Sequence, residues 1–213
     1  MKKLNNNYWI EKKNVYYNWD KVNWADAKTF EVLSDDFAKD KNKIYLYNYE
    51  VVWLDVDSFE VLDEYYLKDK DNIYYIDRDS KIRVVSWADT WSFEVIKWKS
   101  QSGLDSRYAK DKKSVFQSWM KLVNSDSETF KFIDEFYSKD KNNVYVIDAE
   151  IYCVDEIEDA DPETFELLKW GYSKDKNHVY HCDWFWRIRK IDGADSSTFE
   201  MTEIGIPKNK NSN

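Results

Sequence analysis

Lys139-Asp140-Lys141-Asn142-Asn143-Val144-Tyr145 is a polar turn followed by a β-branched residue and an aromatic one, and the chain repeats it. The signature returns at Lys39-Asp40-Lys41-Asn42, Lys68-Asp69-Lys70-Asp71, Lys110-Asp111-Lys112-Lys113 and Lys174-Asp175-Lys176-Asn177, with Glu11-Lys12-Lys13-Asn14 as a weaker first copy. A period of about thirty residues sets the architecture before any local reading, because such units bury their apolar faces against their neighbours.

Alignment on the motif Asp makes columns. Four residues later stand Val15, Ile44, Ile73, Val115, Val144 and Val179, and next to them Tyr16, Tyr45, Tyr74, Phe116, Tyr145 and Tyr180. Three residues before the Asp stand Tyr8, Phe37, Tyr66, Tyr108, Tyr137 and Tyr172. β-Branched and aromatic residues flanking Asp-Lys-Asn-x predict a β-hairpin. Adjacent strand residues face opposite sides, so the Val and Tyr columns predict a sheet covered on both faces.

A second motif accompanies the first. Phe30, Phe59, Phe93, Phe130, Phe165 and Phe199 each follow Thr or Ser, and four residues earlier stand Asp26, Asp55, Asp89, Asp126, Asp161 and Asp195. In Asp161-Pro162-Glu163-Thr164-Phe165 the Asp is a helix N-cap and Pro takes the first helical position, so one capped helical turn is expected. The residue before the Asp, such as Leu54 or Ala160, can staple onto the Phe. Val22, Val51, Val85, Leu122, Ile157 and Ile191, eight residues before each Phe, mark a third strand. Segments such as Glu60-Val61-Leu62 run from the Phe into the next hairpin as strand.

The expected fold is all-β: six tandem β-hairpin, three-strand repeats with single helical turns, stacked as an elongated solenoid-like array. A six-bladed propeller is the runner-up. Residues 1–97 hold repeats 1–3, and 98–107 are an insertion that reads as an irregular loop or hinge. Residues 108–213 hold repeats 4–6 and a truncated seventh motif, Lys208-Asn209-Lys210-Asn211, which caps the array.

Composition narrows the function. An aromatic content of 18% excludes disorder. Four glycines and two prolines leave the turns to Asn, Asp and Lys. A net charge of −9 argues against direct nucleic-acid binding and against anionic membranes, and suits a basic partner. No apolar run reaches a membrane span. Met1-Lys2-Lys3-Leu4 has no apolar stretch behind it, so a cytoplasmic location is expected, with a mature secreted form as the alternative. Cys153 and Cys182 occupy different repeat positions and read as free thiols.

Asp-Lys-Asn-x-Val-Tyr, coupled to Ala-Asp-Pro-Glu-Thr-Phe-Glu, resembles the DKNYY repeat family of bacterial proteins. Tyr172 to Tyr180 and Ala160 to Glu166 carry the likeness best. The resemblance spans nearly the whole chain and implies a bacterial or phage origin. It implies no established activity and transfers no catalytic residue.

The sequence predicts neither enzyme nor cofactor. His178, His181 and Cys182 suggest a metal only superficially, since strand residues three apart face opposite sides. Asp77-Arg78-Asp79 lacks the glycine and bidentate Glu of a calcium loop. No phosphate loop, nucleophile–base set or redox Cys pair is present. The carboxylate columns are explained by capping and turning.

Tryptophan is the sharper lead. Six residues before the column Phe stand Trp24, Trp53 and Trp87, where later copies have Asn124, Asp159 and Gly193, glycine being what the family resemblance implies. Trp24 lies two residues from Val22, so a continuing strand puts it on the buried face. Core packing is therefore favoured over a binding ladder. Trp98, in the insertion, and Trp184 and Trp186, in a variable hairpin, complete the candidate surface. The expected function is a non-catalytic protein-interaction module. Its pointed form is a small acidic inhibitor or immunity-type protein docking on a basic partner. The alternative is a carbohydrate-binding module using the Trp ladder.

Overall fold

The computed structural model describes residues 1–98, 107–134, 136–148, 153–183 and 187–208. Every regular element among them is a β-strand. The strands form six four-stranded antiparallel sheets and a final two-stranded one, each with its strands in chain order, and no sheet closes into a barrel. The chain is thus an all-β tandem-repeat array.

Residues 31–50 show the plan. Glu31–Val32 pairs with Phe37–Lys39, which pairs with Ile44–Leu46, which pairs with Tyr49–Glu50. The central hairpin turns through Asp40-Lys41-Asn42-Lys43 and is closed by Asp40 N–H donating to the Lys43 carbonyl at 2.9 Å. The same closing bond recurs from Asp69, Asp111, Asp140 and Asp175.

Each repeat has four strands where the columns predict three. The extra strand is the short segment after the column Phe, which the sequence reading runs straight into the hairpin. A tight turn folds it back instead. The Ser34 hydroxyl accepts from the N–H groups of Asp36 and Phe37, and Asp63 and Asp134 do the same for Tyr65–Tyr66 and Phe136–Tyr137. Such side chains imitate a backbone turn, so a polar residue at this point separates two strands.

The capped segment is a single turn. Asp161 accepts from Thr164 N–H and Thr164 hydroxyl at 2.9 and 2.8 Å, and Phe165 N–H reaches the Asp161 carbonyl at 3.0 Å. Only one such turn forms before the next strand starts at Glu166. No helix develops.

Both faces of the hairpins are covered. The Val column is buried in all six copies, and the Tyr column from Tyr45 onward. Tyr16 is half-buried, and Trp9 stacks on it at 5.6 Å. The Phe column is the spacer between sheets. Phe165 lies 6.0 Å from both Tyr137 and Tyr180, and Phe30 lies 5.5 and 5.6 Å from Tyr8 and Tyr45. Ring centroids at these separations are in favourable contact.

The chain divides into two compact units, Met1–Val95 with Ser118–Met120, and Ile96–Gln117 with Lys121–Asn213. Most of the insertion at 98–107 lies outside the described residues. Its first residue, Trp98, stacks on Phe132 at 4.6 Å. The last sheet pairs Glu200–Met201 with Pro207–Lys208; the rest of the truncated seventh motif lies outside the described residues.

Phe165→Ala should cost about 3 kcal/mol or more in urea unfolding, because a ring 5% exposed is removed from between two others. Phe165→Leu, which refills most of the space, should cost clearly less.

Candidate functional site

The motif Asp, which the sequence reading treats as a turn residue, is buried. Asp40, Asp69, Asp111, Asp140 and Asp175 are all 5% exposed or less. A buried carboxylate is tolerated only where its oxygens are satisfied. At Asp140, Oδ1 accepts from the N–H groups of Asn142 and Asn143 at 2.7 and 2.8 Å. Oδ2 accepts from the Tyr145 hydroxyl at 2.9 Å and from Asp126 N–H, in the preceding capped turn, at 2.7 Å. Asp40 and Asp175 make the same four bonds, with Tyr45 and Asp26 or Tyr180 and Asp161.

Burial alone would raise the pKa of Asp40, Asp69 and Asp175, but the backbone N–H groups and the Tyr hydroxyl outweigh it and hold each below the usual carboxylate value. The partner phenols move the other way. Burial, and then the bond to Asp69, push Tyr74 up to about 12.

Lysines complete the joint. Lys141 N–H donates to the Thr129 hydroxyl at 3.0 Å and Lys141 Nζ reaches Asp126 at 2.6 Å. Lys176 repeats this with Thr164 and Asp161. Lys139 Nζ points forward, to the Pro162 carbonyl at 2.6 Å. The capped turn of one repeat and the motif Asp of the next are therefore two halves of one clasp, and these carboxylates are engaged in structure.

The other candidate chemistry is equally local. His178 Nδ1 stands 3.4 Å from the Tyr180 hydroxyl, whereas His181 packs against Tyr172 at 4.4 Å. No cluster of three metal-ligating side chains occurs among the described residues. The Cys182 thiol is not in a disulfide. Asp77 accepts from the N–H groups of Asp79 and Lys81 and from Arg83, which makes it a turn residue.

The tryptophan column departs from the favoured expectation. Trp24 and Trp87 are 84% and 85% exposed, and Trp53 is 52% exposed with its ring edge-on to Tyr74 at 5.2 Å. The strand ends at Val22, so the alternation that would bury Trp24 stops. The backbone then turns left-handed, with φ of 66° at Trp24 and 65° at Trp87. Asn124, Asp159 and Gly193 occupy the same left-handed position in later repeats. Trp98 is half-buried. Trp184 and Trp186 lie outside the described residues.

Sequence reasoning missed other exposed rings. Trp91, 96% exposed, sits in the capped turn, where the other copies have Lys28, Asp57, Glu128, Glu163 and Ser197. An aromatic residue in an otherwise polar column is the signal that finds it. Trp19 is 81% exposed at a hairpin tip with φ of 76°. Trp119 lies under the Arg83 guanidinium at 4.6 Å. All of these belong to the unit built on residues 1–95. Trp170, in the other unit, is 62% exposed at φ 65°.

Four-stranded meanders joined by buried-Asp clasps define a tandem β-repeat protein whose repeat-specific features are surface aromatic residues. The chain belongs to the DKNYY family, whose model matches residues 1–50, 37–183 and 146–212. No curated protein and no solved structure matches it.

Tyr180→Phe should cost about 1.5 kcal/mol in chemical unfolding, since it removes one hydrogen bond to a buried charge while Phe116 shows that the slot accepts the ring. Because Asp40, Asp69 and Asp175 are held below their unfolded value, the stabilisation they contribute is complete above it and is lost as pH falls through the folded value. The melting temperature should accordingly drop below about pH 4.

Proposed function

We propose that the protein is a non-catalytic interaction module that docks on a protein partner through the exposed tryptophans of residues 1–95. One observation carries this reading: Trp24 and Trp87 are almost fully exposed at a left-handed backbone position that Gly193 occupies elsewhere in the chain. A non-glycine residue there costs roughly 1–2 kcal/mol, and the exposed indole gains little packing to offset it. A residue that weakens the fold and stays in water is explained by what it touches outside the chain. Tryptophan is also enriched among the side chains that dominate binding energy.

The net charge of −9 selects a basic partner surface. An acidic chain with aromatic anchors suits an inhibitor or immunity-type protein that covers the nucleic-acid channel of a bacterial effector enzyme. The recurrence of exposed Trp at equivalent repeat positions supports a second reading, stacking on the sugar rings of a glycan.

The double substitution Trp24→Gly with Trp87→Gly tests the proposal. The melting temperature should equal or exceed that of the parent, and capture of the partner from a host lysate, read by mass spectrometry, should fail. A large fall in melting temperature with unchanged capture would sink the idea. Binding that weakens steeply between 50 and 300 mM salt is expected for the basic protein partner, on the order of tenfold or more. Salt-indifferent binding, with a response on a glycan array, would favour the second reading.

A further inference from the structure

One sheet sets lysine against lysine where four others set glutamate against lysine. The residue after the column Phe stands directly across the strand from the first lysine of the motif: Glu31 from Lys39, Glu60 from Lys68, Glu166 from Lys174 and Glu200 from Lys208. Two of these pairs close to ion pairs, Lys68–Glu60 at 3.0 Å and Lys174–Glu166 at 3.4 Å. In the fifth sheet the partners are Lys131 and Lys139. Like charges directly opposite each other repel.

These two lysines open onto a cleft of about 440 Å³ that Lys141, Thr129 and Glu163 also line. Neither Lys131 nor Lys139 has an ion pair among the described residues. Lys139 is half-buried and spends one of its three Nζ donors on the Pro162 carbonyl at 2.6 Å; its pKa is lowered first by burial and then by Lys131, with Asp161 opposing. Of the acidic groups nearby, Asp161 is held by Lys176 at 2.6 Å, and none forms an ion pair with Lys131 or Lys139 among the described residues. Asp140 turns its carboxylate inward to four donors, Asp126 holds Lys141 at 2.6 Å, and Glu163 is exposed.

We infer that the Lys131–Lys139 cleft binds a phosphate-type oxyanion. Two ammonium groups match the nearly double negative charge of a phosphate. A tetrahedral oxyanion also has enough acceptor oxygens for several rotatable lysine donors. The site belongs to the unit of residues 96–213 and is independent of the tryptophan face.

The experiment is a ¹⁵N chemical-shift titration of the full chain with sodium phosphate, with sodium chloride at matched ionic strength as control. Thermal denaturation of the same samples gives a second readout. Phosphate should shift the amides of residues 129–141 saturably and raise the melting temperature. Lys131→Glu restores the Glu–Lys pair of the four other sheets. It should melt at or above the parent temperature without phosphate and lose the response to phosphate. A parallel titration with O-phosphoserine separates the sources: tighter binding of the monoester indicates a phosphorylated ligand, and equal binding indicates free phosphate. No saturable shift in the parent, or an equal shift in Lys131→Glu, would overturn the assignment.

Discussion

A carboxylate removed from water must find donors, and in this protein it finds them in two repeats at once. Asp40, Asp140 and Asp175 each take two N–H groups from their own hairpin turn, a phenol from the strand that follows, and one N–H from the capped turn before it. The repeat pattern follows from this requirement. The motif needs Asp because Asn would supply only one acceptor oxygen. Four copies have Tyr five residues on, whose hydroxyl adds a donor to the set. The motif needs the Asp-x-x-Thr-Phe turn because that turn supplies the fourth donor and, through its Phe, the spacer between sheets. Charge-assisted bonds of this kind are individually stronger than neutral ones, and here they are distributed along the chain.

Much of this was legible in the residues. Six copies of two coupled motifs announced the repeat, the β class, the turn at the motif and the burial of both hairpin faces. The fourth strand was not legible, because Glu60-Val61-Leu62 carries no mark at the point where it folds back. That mark lies one residue further on, in Asp63, and is only a single polar side chain. Burial of the motif Asp was also hidden. Lys-Asp-Lys-Asn reads as solvated, and nothing local shows that the middle carboxylate points inward while both lysines point out.

The tryptophans show where alternation stops being a guide. Counting by two from Val22 buries Trp24 only if the strand continues, and it ends at Val22. The better clue was Gly193 in the same column, since a glycine aligned with an aromatic residue marks a backbone constraint rather than a strand face. Once that position is left-handed, the ring leaves the sheet surface. The unit of residues 1–95 thus carries Trp19, Trp24, Trp87 and Trp91 in places that contribute little to its folding.

The clasp also has a genetic consequence. The clasps of Asp40, Asp69, Asp140 and Asp175 each join residues only fourteen positions apart. Any stretch of about thirty residues holds one capped turn and one motif Asp, so a duplicated stretch brings both halves of a clasp and inserts with no change elsewhere. Short-range joints of this sort also let early repeats set before late ones have left the ribosome. Length in such a chain is a quantity that unequal recombination can adjust in whole steps, while single positions such as Trp24 or Lys131 are free to diverge copy by copy.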